Sequence, residues 1–102
     1  IPGCRVVEEK EHAETSWFGV PIIYEYGKHH LVKYLEENGV QTRNYFAGNI
    51  LMHPGYRGLD DPKNYPNASR VLDDVFFVGC SPVITVPMLD YIDDLIKKYE
   101  PA

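Results

Sequence analysis

Apolar positions recur with a clear helical period only near the end of the chain. Met88, Leu89, Ile92, Leu95, Ile96 and Tyr99 follow one another at intervals of three and four, while Asp90, Asp93, Asp94, Lys97 and Lys98 occupy the other positions. That spacing puts an apolar stripe on one side of a helix and charge on the other. Thr85 stands where a capping hydroxyl belongs and Pro87 falls in the first turn, where proline is tolerated. The acids precede the lysines, in the sense that suits the helix dipole.

Elsewhere the pattern is shorter. Thr15–Tyr26 (TSWFGVPIIYEY) is rich in β-branched and aromatic residues and predicts a strand, with Gly19 and Pro21 marking a bulge or an edge. Gly27–Gly39 predicts a short helix with Leu31, Val32 and Leu35 on one face and Gly39 as its stop. Val40–Phe46 predicts a second strand, and Asn49–Tyr56 a single helical turn ended by Pro54 and Gly55. Gly58–Asn67 reads as a loop. Ala68–Val75 predicts a helix capped by Asn67, and Phe76–Cys80 a buried third strand. The expected order, β–α–β–(α)–α–β–α, fits an α+β fold: a small three-stranded sheet with helices packed on one face. Strand order and direction stay open at this level.

Composition narrows the function. The 102 residues are enough for one domain with a modest core. A net charge of −5 excludes the basic footprint of a nucleic-acid binder, and no stretch approaches the roughly 20 apolar residues that span a bilayer. Two cysteines, Cys4 and Cys80, with no secretory apolar segment, favour reduced thiols in a cytoplasmic protein. The first fifteen residues are polar and irregular, and are expected to be a leader that connects residues 16–100 to something longer.

Reactive constellations are sparse. His29 and His30 are adjacent, so on a helix they diverge by about 100° and cannot share a metal. No ligand spacing is present, and no metal site is expected. The tandem acids Asp60-Asp61, Asp73-Asp74 and Asp93-Asp94 lie in a loop or on polar helix faces and read as solvated. No serine sits in a nucleophile-elbow setting, and Gly79-Cys80-Ser81-Pro82 reads as a plain strand-to-helix connection. One segment stands apart: in TRNYFAGN, Thr42–Asn49, an arginine, two aromatics, a glycine and an asparagine crowd together. Arg43 offers a bidentate anion contact, Tyr45 and Phe46 flat apolar faces, Gly48 close backbone approach, and Asn49 a donor and an acceptor. The same residues also suit a strand with two core aromatics, a turn glycine and a capping asparagine. Chemistry alone leaves both readings open.

The segments SWFGVPI (16–22), GVQTRNYFAGNI (39–50), HPGY (53–56) and FFVGCSP with MLDYI (76–92) occur in an order that resembles the carboxy-terminal domain of the DegT/DnrJ/EryC1/StrS nucleotide-sugar dehydratases and aminotransferases. The likeness is strong to the CDP-4-keto-6-deoxyglucose 3-dehydratases of lipopolysaccharide O-antigen synthesis. It runs roughly from Ser16 to Tyr91. The resemblance implies the small domain of a fold-type-I enzyme that uses pyridoxal or pyridoxamine phosphate, in some members with a [2Fe-2S] cluster, all held outside this segment. No catalytic residue is implied within it, and the chain alone is expected to be inactive. The implied partners are the missing large domain, a second subunit and a nucleotide-sugar substrate. By resemblance, Trp17, Phe18 and Gly19 lie at the domain interface, and Arg43, Phe46, Gly48 and Asn49 approach the substrate. Trp17, Phe18 and several tyrosines are therefore expected to form an exposed apolar patch. The chain departs from the family pattern at Val20, at Asn44-Tyr45, at Phe77 and around Pro82. A self-contained ligand-binding or interaction module on the same fold is the alternative.

Overall fold

The computed structural model describes residues 1–101. Four short strands form one open sheet: β1 (Cys4–Val6), β2 (Val20–Tyr24), β3 (Thr42–Asn44) and β4 (Val75–Val78). Every pairing is antiparallel and the strand order is β1-β2-β4-β3. Three helices accompany it, α1 (Lys28–Glu37), α2 (Pro66–Asp74) and α3 (Val86–Lys98), with single 3-10 turns at Ile50–Met52, Pro54–Tyr56 and Pro62–Asn64. The α+β class and the small sheet hold. The sheet is wider than expected by one strand, because Cys4–Val6 in the leader pairs with Ile22–Tyr24.

The core follows from alternation along the strands. Ile22 and Tyr24 of β2 and Phe76 and Val78 of β4 point to one face, where they meet Leu31 and Leu35 of α1, Val40 and Tyr99. Phe76, Leu31 and Leu35 are fully buried. Helix α3 joins this layer through Ile92, Leu95, Ile96 and Tyr99. It is tied to α1 by Tyr34 Oη donating to the Leu95 carbonyl at 2.8 Å and by a 2.8 Å bond between His30 Nδ1 and Tyr99 Oη. Thr85 caps α3 as expected, accepting from Met88 N–H. Yet Met88 and Leu89 stand about half exposed, so only the C-terminal part of the stripe is core.

The opposite face carries Ile23, Val75, Phe77 and Arg43. Helix α2 lies near its Val75 end, where Arg70 and Val71 share a small hollow with Ile23 and Val75. This helix begins earlier than expected. Pro66 occupies the first turn, Tyr65 is the residue before it, and Asn67 lies inside the helix rather than capping it. Proline's fixed φ suits that first position. The remainder of the second face, around Phe77, has no helix over it.

Candidate functional site

The uncovered part of the second face is built by two loops that converge on Phe77. Residues 15–19 lead into β2, and residues 45–49 lead away from β3. A hollow of about 210 Å³ lies between them, lined among others by Trp17, Phe18, Gly19, Tyr45, Phe46 and Phe77. The rings form a continuous cluster: Phe18 is 5.8 Å from Phe77 and 6.1 Å from Phe46, and Phe46 stacks on Phe77 at 6.0 Å and 26°. Tyr45 meets Phe46 edge-on at 5.2 Å. Nevertheless Phe18 is 78% and Phe46 68% exposed. Large rings that stack yet face water are the composition of a contact surface.

Local backbone explains how the rings are presented. Phe46 adopts φ 51 and Gly48 φ 64, two left-handed residues in a three-residue span. Its N–H donates to the Asn44 carbonyl at 2.8 Å, which reverses the chain immediately after β3. A phenylalanine held in this region costs about 1–3 kcal/mol, sustained only where neighbours over-determine it. Gly48 is required for space as well as for φ, since a Cβ there would come within 2.8 Å of Leu72 Cβ. Gly19 is buried flat against Phe77, and a side chain there would overlap that ring.

Asn49 is the anchor of this loop. It is 2% exposed, the one buried polar residue of the described core. Its Oδ1 accepts from Leu51 N–H at 3.1 Å, capping the first 3-10 turn, while Nδ2 donates to Ser69 Oγ at 3.1 Å and to the Pro62 carbonyl at 3.3 Å. Both amide hydrogens are therefore spent inside the chain, and Asn49 positions the wall rather than presenting a donor on it. Arg43 is the cross-strand partner of Phe77 and is exposed. Among the described residues it has no carboxylate within ion-pair distance. Glu36 lies in its vicinity, but that carboxylate accepts from Thr42 N–H at 2.7 Å and from Thr42 Oγ1 at 2.9 Å. These two bonds, with a smaller contribution from Arg43, hold the Glu36 carboxyl below its ordinary range.

A second concavity opens beside this one. A groove of about 660 Å³ separates β4 and the start of β3 from the N-terminal half of α3, and Gln41, Arg43, Phe77, Met88 and Tyr91 line it. Phe77 thus borders both hollows. Neither Tyr91 nor this groove stands out in the sequence, where Tyr91 is simply one more residue of the final helix. The cross-strand pairing of Phe77 with Arg43 is the signal that links them.

The structure brings Trp17, Phe18, Gly19 and Phe46 together around Phe77, with Arg43 its neighbour across the strand pair, Gly48 packed against Leu72 and Asn49 bonded to Pro62 and Ser69. Trp17, Phe18, Tyr26, Tyr56, Tyr65 and Tyr91 are exposed, and of these Trp17 and Phe18 share the hollow beside Phe77. Metal-ligating side chains do not converge in groups of three among the described residues. Cys4 and Cys80 are free thiols at opposite ends of the sheet. Lys28, the least exposed lysine, donates its ammonium to the Val75 carbonyl at 2.8 Å. No helix is long and apolar enough to cross a membrane among the described residues.

Residues 1–97 match the model of the DegT/DnrJ/EryC1/StrS aminotransferase family. A dTDP-4-dehydro-2,6-dideoxy-D-glucose 3-dehydratase of Saccharopolyspora spinosa is 33% identical over 108 aligned positions, which cover 97% of this chain and 23% of that protein. The lipopolysaccharide biosynthesis protein RfbH of Salmonella typhimurium is 32% identical over 102 positions, covering 91% of this chain and 22% of that protein. The chain spans less than a quarter of the length of these curated relatives.

Proposed function

The chain belongs to the DegT/DnrJ/EryC1/StrS aminotransferase family, and from that premise we propose that it is the small C-terminal domain of a nucleotide-sugar 3-dehydratase of deoxysugar and lipopolysaccharide synthesis. The reaction would be C-3 deoxygenation of a 4-keto-6-deoxyhexose nucleotide. One observation carries this reading. Phe18 and Phe46 stand exposed on the part of the second sheet face over which no helix of the described residues lies, in a chain less than a quarter as long as relatives whose names include a 3-dehydratase.

In this reading residues 1–15 lead from a large domain, and Trp17, Phe18 and Gly19 meet that domain. Phe46 and Gly48 form the wall toward the sugar and exclude water from it. Arg43 pairs with an anionic group of the substrate through its planar fork, and Asn49 holds the wall in place. Pyridoxal or pyridoxamine phosphate, which supplies the electron sink, would be held by residues outside this chain. Any [2Fe-2S] cluster likewise takes its thiolates from elsewhere, since Cys4 and Cys80 cannot reach one another. Unpaired thiols agree with a cytoplasmic setting. The family description favours a second reading, a nucleotide-sugar aminotransferase.

The test uses the gene that encodes the chain, extended upstream. A protein with a histidine in the cofactor segment that releases the 3-hydroxyl of a dTDP- or CDP-4-keto-6-deoxyhexose supports dehydration. A lysine there, with amino transfer to the sugar, overturns it in favour of the second reading. The chain alone should bind no cofactor; tight calorimetric titration with pyridoxamine phosphate would refute the division of labour.

A further inference from the structure

The groove between β4 and α3 is larger than the hollow under Phe18, and of its lining residues the resemblance to known enzymes gives a role only to Arg43. Its two aromatic walls are set before any ligand arrives. Tyr91 is tied by its hydroxyl, which donates to the Asn38 carbonyl at 2.6 Å. Phe77 is wedged against Gly19 and stacked by Phe46. Rings already fixed lose little freedom on binding a flat ligand. At the rim, Arg43 is exposed and has no ion-pair partner among the described residues, and Glu36 nearby is engaged by Thr42. The Glu36 carboxylate senses Arg43 from beyond salt-bridge distance, and the exposed guanidinium remains a local seat for an anion on the groove. Gln41, also on the groove, offers an amide donor and acceptor. A mainly apolar slot with fixed rings and a few polar groups has the make-up of a small-molecule site.

Resting on the nucleotide-sugar reading above, we infer that this groove receives the nucleoside diphosphate half of the substrate. The base lies against Phe77 and Tyr91, and the diphosphate meets Arg43. Gln41 reads the edge of the base. Phe77, bordering both concavities, then marks the boundary from which the sugar continues toward the Phe46 wall. Tyr91 and Gln41 become binding residues, and Arg43 acquires a specific ligand group.

The experiment is an amide-resolved NMR titration of the 102-residue chain with dTDP, CDP, the two free nucleosides and inorganic pyrophosphate. Saturable shifts at Gln41, Arg43, Phe77 and Tyr91 are expected with both diphosphates, with Kd on the order of 1 mM for half a substrate. Arg43→Gln should weaken the diphosphates about tenfold and leave the nucleosides unchanged. Tyr91→Leu, checked for an intact spectrum, should weaken nucleosides and diphosphates alike. No saturation at roughly 10 mM, shifts outside the groove, or pyrophosphate binding that gains nothing from the nucleoside would overturn the assignment. A longer enzyme that deoxygenates its sugar while this groove stays silent removes the groove and keeps the proposed function. Nucleotide binding within an enzyme that does not deoxygenate does the reverse.

Discussion

Replacing Asn49 by alanine separates a structural anchor from a ligand contact. The side chain is buried and makes three hydrogen bonds within the chain, to Leu51 N–H, Ser69 Oγ and the Pro62 carbonyl. Each net bond contributes about 0.5–1.5 kcal/mol, and the 3.3 Å bond to Pro62 belongs at the low end. Truncation also leaves part-buried donors and acceptors on both sides of the loop. The expected destabilisation is therefore about 2–4 kcal/mol. For a domain of this size, each kcal/mol lowers the melting temperature by about 4–8 °C, so the midpoint should fall by roughly 10–25 °C. Calorimetry and urea unfolding monitored at Trp17 would measure it. Asn49→Asp is the companion variant: it keeps the acceptor for Leu51 but loses both donors and sets a carboxylate against the Pro62 carbonyl, so it should be at least as damaging at neutral pH. A melting temperature for Asn49→Ala within a few degrees of the parent would show that the loop does not depend on this residue. The wall would then have to be held by the turn at Phe46 and Gly48 alone.

Two other outcomes follow from the same geometry. Gly19→Ala forces a methyl group into the Phe77 ring; a loss of about 1–3 kcal/mol is expected from overpacking, with a changed near-ultraviolet signal as the stacked rings shift, and an unchanged spectrum would contradict the contact. Glu36 is held below its ordinary range by Thr42, so its contribution is present above the unfolded-state pKa and is lost as the pH falls through the lower folded value. Acid unfolding of Glu36→Gln should accordingly be less steep across that window than acid unfolding of the parent.

Much of the architecture is legible in the residues because burial and periodicity coincide there. The α1 stripe of Leu31 and Leu35 and the β4 pair Phe76 and Val78 fall where their spacing places them. The strand at Cys4–Val6 is not legible. Three residues give no alternation to read, and they become a strand only because Ile22–Tyr24 offers them an edge. Helix α3 shows the converse. Its stripe is as clear at Met88 as at Ile96, but periodicity reports amphipathicity and not which part of the stripe is covered. At the site, the structural reading of TRNYFAGN holds in part. Asn49 is a capping side chain and Gly48 a turn glycine, whereas Phe46 is an exposed ring and not a core one. A sequence cannot separate these, because an amide serves a cap and a ligand with the same atoms. What decided the matter was the arrival of Ser69 and Pro62 from a distant segment.

The strand order has a bearing on how the molecule comes into being. The two central strands, β2 and β4, pair residue Val20 with Val78, partners more than half the chain apart. Both edge strands precede β4 in the chain, and β3 has no neighbour but β4. Such non-local pairing must close a long loop before it gains any contact, which slows folding. During synthesis, β1 and β2 can pair early with α1 alongside, but β3 must wait. The loop that displays Phe46 therefore takes its final form only after Val75–Val78 has left the ribosome. A nascent chain stalled before that point holds an exposed aromatic segment beside an unfinished sheet edge, and it is there that the protein is most open to aggregation.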